Sequence, residues 1–234
     1  QSEDFNWSAN FNVAYNDNMV ESLSGQYDFA NVNGPGLSGA FAMRLQEGYP
    51  LFSYYLLQFD GYDGAGQPII SEDKSFVGKS ALPNLTGGLS TNFNYKRWTM
   101  SAYFSGQFGH YVYNNTANAF FTAGAFNTTR NVLPETLTSG EALGASAAAS
   151  TRFLEKGDFV RLQNLSLAYD MPLSGKGVFK SMVFSVTGQN LFLMTDYSGL
   201  DPEVSSATGG NLPSIGMDYG AYPNPTTITF GINA

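Results

Sequence analysis

From Phe5 to Tyr15 apolar and small or polar residues alternate in strict succession, Phe-Asn-Trp-Ser-Ala-Asn-Phe-Asn-Val-Ala-Tyr, with no charge among them. A period of two sends successive side chains to opposite faces of an extended chain. One face of this segment is Phe, Trp, Ala, Phe, Val, Tyr, and the other is Asn, Ser, Asn, Asn, Ala. A strand of about eleven residues is also long enough to cross a bilayer when tilted. Such a strand needs one apolar neighbour and one wet one.

The same texture returns at Trp98 to Phe108, at Met182 to Gln189 and at Thr227 to Asn233. Weaker runs lie at 39–46, 51–60, 86–95 and 159–170, giving eight expected strands. Only 13% of the residues are charged, against roughly a quarter in soluble domains, so a lipid-facing surface explains the deficit better than an aqueous one. The apolar runs are only a few residues, far below the ~18 that a membrane-spanning helix needs. Strands that cross hydrocarbon must satisfy every backbone N–H and C=O internally, which requires a closed barrel. The expected fold class is therefore all-β, a transmembrane antiparallel β-barrel.

Connections alternate in length. Long segments (16–38, 61–85, 109–158, 191–225) are separated by short ones at Glu47-Gly48-Tyr49-Pro50, around Lys96-Arg97, and at 171–179. Outer-membrane barrels join strands by short periplasmic turns and longer extracellular loops in this way. Both termini then fall on the short-turn side. Phe93, Tyr95 and Trp98 flank one short turn, and Phe159, Tyr169, Phe179 and Phe184 lie around others, where interfacial girdles are expected. The small-residue stretch 140–150 reads as loop or at most a short helix.

A formal net charge of −8 and a single adjacent basic pair, Lys96-Arg97, argue against nucleic acid as a partner. The absence of cysteine removes disulfides, thiolate metal sites and a cysteine nucleophile. The first residues, QSEDFNW, show no basic region followed by an apolar one, so any signal peptide is expected to have been removed or to lie on a missing upstream part.

Several segments resemble the SusC/RagA family of TonB-dependent outer-membrane importers of Bacteroidetes. They are GDFVRLQNLSLAYDMP at 157–172, VTGQNLFLMTDYSGLDPEV at 186–204 and YPNPTTITFGIN at 222–233. Earlier, GKSALPNLTGGLSTNFNYKRWTMSAYFSGQFGHYVYN is similar to a hairpin of that family, and residues 1–75 fit more loosely. The resemblance implies that residues 1–234 are the C-terminal portion of the receptor barrel, with the plug domain and N-terminal strands absent. Eight strands would then close a barrel of about 22. It further implies TonB-dependent import of oligosaccharides, glycans or peptides, a SusD-like surface lipoprotein as partner, contact with TonB through the missing N-terminal part, outer-membrane lipid around the barrel, and no enzymatic activity.

Individual residues are less telling. Arg161 points into the polar interior if Leu162 faces lipid, and reads as a barrel-wall ion-pair partner before a substrate contact. Asp201-Pro202-Glu203 reads as an element that orders the last long loop. His110, the only histidine, beside Tyr111 and Tyr113, reads as polar loop surface. Glu72/Asp73, Asp201/Glu203 and Asp60/Asp63 are the carboxylate pairs with which glycoside hydrolysis would have to work. Asp60-Gly-Tyr-Asp63-Gly-Ala-Gly reads as a turn, with a loop Ca²⁺ site as the alternative. Otherwise neither metal nor cofactor is expected. Tyr62, Tyr111 and Tyr113, with Phe126, are the loop aromatics suited to stacking on sugar rings or touching peptide side chains.

Two alternatives to an importer remain at this level. One is a self-contained eight-stranded outer-membrane barrel with a structural or adhesive role. The other is a soluble β-sandwich that binds or hydrolyses carbohydrate.

Overall fold

The computed structural model describes residues 4–37, 39–173, 181–206 and 214–234. Six strands form one antiparallel sheet in chain order: β1 (Phe5–Tyr15), β2 (Leu85–Tyr95), β3 (Trp98–Phe108), β4 (Phe159–Pro172), β5 (Ser181–Thr195) and β6 (Thr227–Asn233). Register converts the alternation of each strand into two continuous faces. Trp7, Phe93, Met100, Leu167, Val186 and Phe230 face one another across all six strands. One rung away, on the opposite face, Ser8, Asn92, Ser101, Ser166, Thr187 and Thr229 do the same. A slip of one residue would exchange the faces, so the pattern strongly specifies the pairing.

One irregularity preserves this order. The ladder shifts between Leu162 and Asn164 towards both neighbouring strands: Gln163 is the extra residue of a bulge against β3, and against β5 it stands opposite two residues, Asn190 and Leu191. Leu162 and Leu165, three apart, thereby share the apolar face. Gln163 turns to the polar side and donates to Ser105 Oγ at 2.9 Å. On β5 the same shift is taken up at Asn190, whose φ is +51°.

The eight expected spanning strands become six in this sheet. Ala40–Leu45 and Ser53–Leu56 are strands, but they pair with Tyr27–Val32 and Ser75–Ser80 in a separate four-stranded sheet. At six and four residues they are shorter than the ~9–11 needed to span a membrane. The turn Glu47-Gly48-Tyr49-Pro50 accordingly belongs to this outer sheet, and β1 pairs directly with β2 over eleven positions. The resulting connections still alternate: 16–84 long, Lys96-Arg97 short, 109–158 long, 173–180 short, 196–226 long. The last short turn, with Phe179, lies outside the described residues. Phe5 faces Tyr95 and Asn233 faces Val183, so both sheet ends lie on the short-turn side.

The long segments build a second layer beyond the other end of the sheet. Its core gathers Phe29, Val32, Met43, Tyr54, Leu56, Ala81, Tyr113 and Met217 from all three of them. A small sheet of Tyr111–Asn114, Leu154–Lys156 and Met217–Asp218 continues above β3 and β4, followed by the one α-helix among the described residues, α1 (Asn115–Phe120), capped by Asn114 Oδ1 accepting from Ala117 N at 2.9 Å. Residues 140–150 are loop, as expected. No described helix is long and apolar enough to cross a membrane. Among the described residues β1 and β6 do not pair with each other, so the sheet is not the closed eight-stranded barrel of the first alternative.

Candidate functional site

The two faces of the sheet set its possible surroundings. The six strands carry two charges, Arg161 and Asp170, and register assigns both to the polar face. The apolar face is open: Phe11 is 73% exposed and Phe230 80%. Near the short turns it carries the row Phe5, Tyr95, Trp98, Tyr169, Phe184, Ile232, with Trp98 and Tyr169 ring centroids 4.7 Å apart. Trp7 stacks on Phe93 at 5.9 Å and donates its indole N–H to Thr91 Oγ1 at 2.8 Å, satisfying a hydroxyl on that apolar face. A continuous apolar patch rimmed by aromatics is chemistry for lipid rather than water.

Phe159, expected in a girdle, is instead buried on the polar face at the loop end of β4. The reason is His110. Its ring meets Phe159 edge to face at 6.3 Å, and Gly157 permits the approach, since a Cβ there would come within 2.6 Å of His110 Nε2. His110 is therefore buried rather than loop surface, and burial pushes its pKa below the ordinary value, opposed by Asp158.

The polar face is crowned by ion pairs and hydrogen bonds that bind the long loops together. Arg161 Nη2 lies 2.6 Å from Asp201 Oδ1 and 2.9 Å from Glu203 Oε2. Asp201 also accepts from Glu203 N at 3.0 Å and from Asn224 N and Nδ2, both at 3.1 Å. One carboxylate thus holds both ends of the 196–226 loop against the wall. These are the expected roles of Arg161 and of Asp201-Pro202-Glu203. Asp218 accepts from Thr116 Oγ1 at 2.9 Å and Tyr197 Oη at 2.7 Å; burial and the Asp218 carboxylate both raise the Tyr197 pKa. Glu155 accepts from Asn114 Nδ2 at 3.1 Å and from Ser198 N and Oγ, both at 2.8 Å. Nothing in the sequence singles out Asp218 or Glu155, because their partners lie in other loops.

The expected ligand-contacting tyrosines separate. Tyr113 is completely buried in the outer core, its hydroxyl accepting from Asn118 Nδ2 at 3.0 Å, so its ring is not presented to a ligand. The Arg152 guanidinium lies 5.3 Å from the Tyr62 ring centroid; the Tyr62 hydroxyl is buried without a hydrogen-bond partner among the described residues, and burial pushes its pKa up to about 12. Arg152 is held by a two-pronged pair with Glu141, at 2.9 and 2.7 Å. Tyr111 remains partly open, with Lys79 Nζ 4.7 Å over its ring. Phe126 is 49% exposed.

The carboxylate pairs do not assemble a metal or hydrolytic centre. Asp63 Oδ1 accepts from Ala65 N at 2.9 Å and Gln67 N at 2.8 Å, closing its own turn, while Asp60 is exposed. Asp201 and Glu203 are engaged by Arg161. Glu72 and Asp73 lie in a surface connection. Among the described residues no group of three or more His, Asp or Glu is gathered for a metal.

Two recesses open beside these networks. One, about 320 Å³, lies where the outer sheet meets the wall and is lined by Asn16, Asp17, Tyr49, Lys79, Asn84 and Tyr111 among others. The other, about 290 Å³, is mostly apolar, with Phe121, Leu133, Leu200, Ala221 and Tyr222 around a floor containing Asp218 and Asn114.

No family model matches the chain. Among curated proteins, TonB-dependent receptor P26 of Formosa agariphila is 31% identical over 271 residues, spanning 100% of this chain and 27% of that protein. TonB-dependent receptor P3 of the same organism is 30% identical over 99% of the chain and 27% of its own length. TonB-dependent receptor SusC of Bacteroides thetaiotaomicron is 27% identical over 99% of the chain and 24% of its length. Among solved structures, the RagAB peptide importer in its open-open state superimposes with a TM-score of 0.77 at 25% identity, covering 99% of this chain and 27% of that one. The chain thus spans about a quarter of the length of the relatives it matches.

Proposed function

With the chain carrying SusC/RagA-type TonB-dependent receptor sequence and fold over nearly its whole length, we propose that it forms part of the wall and outer loops of an outer-membrane nutrient importer. The observation that carries this reading is the two-faced sheet. An apolar, charge-free face continuous across six strands suits lipid, and the opposite Ser/Thr/Asn face suits a wet lumen.

In this reading residues 1–234 are the C-terminal portion of a barrel of about 22 strands, closed by strands contributed from outside this chain. The short turns and both chain ends face the periplasm, and the three long loops face the exterior. A plug domain and TonB contact lie elsewhere in the receptor, and a SusD-like lipoprotein caps the outer face. The cargo is an oligosaccharide or a peptide. The work is selective binding and passage, in keeping with relatives that are named as receptors and transporters.

The test is the mass of the intact polypeptide in native outer membranes, read by immunoblot against these loops and confirmed by peptide mapping. A species several times the 25.3 kDa of this chain, whose deletion abolishes uptake of a defined oligosaccharide or peptide, is expected. A mature protein of the chain's own mass would sink the reading.

A further inference from the structure

The recess between the outer sheet and the wall lies at the upper end of the polar face. Asn16 N donates to Asn84 O at 2.8 Å and Asn84 N to Phe108 O at 3.0 Å, which extends the ladder one rung beyond Tyr15. By alternation Asn16, Asn84 and Gly109 follow Ala14, Thr86 and Gln107, all polar-face positions. Gly109 has φ +84°, and a Cβ there would stand 3.1 Å from Asn84 Oδ1, so glycine leaves room for that carboxamide.

The lining is unlike the loop clamps. Asp201, Asp218 and Glu155 have their oxygens committed to partners within the chain. In the recess the side chains of Asn16, Asp17 and Asn84 have no hydrogen-bond partner among the described residues, and Lys79 rests only on the Tyr111 ring. Aromatic surface stands beside them: Tyr49 and Phe76 stack at 3.5 Å, and Tyr111 forms another part of the lining. One carboxylate and one ammonium leave the lining without net charge.

We propose that this recess is a subsite for one ring of a neutral oligosaccharide. Adjacent ring hydroxyls each offer a donor and an acceptor, which carboxamides and a carboxylate match in pairs. The C–H faces of a sugar ring are apolar enough to lie on Tyr111 or Tyr49. The zero net charge disfavours phosphate or a polyanion. An apolar peptide side chain is better accommodated by the other recess, around Leu133, Leu200 and Tyr222. The assignment rests on the import reading and names its cargo class.

The test uses the intact receptor, solubilised from outer membranes, titrated calorimetrically with neutral oligosaccharides of two to six residues and with pooled tri- to hexapeptides. Asp17→Ala and Asn84→Ala, both exposed positions, are expected to keep the wild-type melting temperature and to weaken oligosaccharide binding at least tenfold. No oligosaccharide bound by the wild type, or unchanged affinity in both variants, overturns the subsite. Peptide binding weakened by the same substitutions, with no oligosaccharide effect, overturns the sugar assignment. Oligosaccharide binding lost in the variants, while wild-type cells import none of the panel, supports the subsite and overturns the import reading.

Discussion

The Arg161 guanidinium and the Asp201 carboxylate meet at 2.6 Å across forty residues of sequence, with side chains only 3% and 4% exposed. Desolvating two such charges is expensive, and a pair in this position persists because Glu203 and Asn224 supply further partners. The geometry makes Arg161 the anchor of the 196–226 loop rather than a free lumen charge.

Arg161→Met should therefore cost about 3–5 kcal/mol, because it leaves Asp201 buried and unpaired. Limited proteolysis should cut within 196–206 or 214–226 in the variant and spare those segments in the wild type. Adding Asp201→Asn should recover most of the loss, since the amide oxygen still accepts from the loop backbone without carrying a charge. Arg44→Met, at a pair whose Asp28 side chain is 38% exposed, should cost no more than ~1 kcal/mol.

The two faces predict opposite tolerance to charge. Leu165→Lys, near the middle of the apolar face, should destabilise the folded barrel by roughly 2–4 kcal/mol in lipid. Ser90→Lys, on the polar face, should assemble normally. Urea unfolding in liposomes measures the difference, and equal behaviour of the two variants would contradict the face assignment.

Gly216 is held at φ +73° with Ala81 Cβ 2.5 Å and Tyr54 Oη 2.7 Å from where its Cβ would lie. Gly216→Ala should displace the Tyr54 hydroxyl, which lies 2.8 Å from the Gly216 carbonyl, and loosen the outer core. Gly220, at φ +65° with nothing within 4 Å, should show only the ~1 kcal/mol or so of the left-handed backbone. Comparing hydrogen exchange at Tyr113 and Met217 in the two variants separates steric from backbone cost.

Burial lowers the His110 pKa from its ordinary value of 6.5. The unfolded chain then binds the proton more readily than the folded one, so stability rises with pH through this window. The contribution is complete above the unfolded pKa and is lost as pH falls from about 6.5 towards the folded value. Melting temperature should drop between pH 7.5 and 5.5 in the wild type. His110→Gln should flatten that slope, and an unchanged slope would assign the effect to another group.

Much of the wall was legible in the sequence because alternation is local. Phe5 to Tyr15 and Trp98 to Phe108 declare their faces without reference to a partner, and scarce charge with no helix-length apolar run restricts any membrane span to strands. The same locality misleads at 39–46 and 51–60. Those runs alternate too, but alternation does not say which sheet a strand joins, and a separate outer core claims them through Met43, Tyr54 and Leu56. His110 is illegible locally for a related reason: its burial depends on Phe159, forty-nine residues on, and on the missing Cβ at Gly157.

Local sequence is enough to make two-faced strands joined by alternating short and long connections, since side-chain direction in an extended chain follows from position alone. Long-range packing settles which strands share the sheet, that Gln163 bulges so that Leu162 and Leu165 keep one face, and that Arg161 is bound by Asp201 while the side chains of Asn16, Asp17 and Asn84 find no partner among the described residues. Those outcomes depend on contacts between distant segments, where burial and hydrogen-bond satisfaction select among partners that local sequence leaves equivalent.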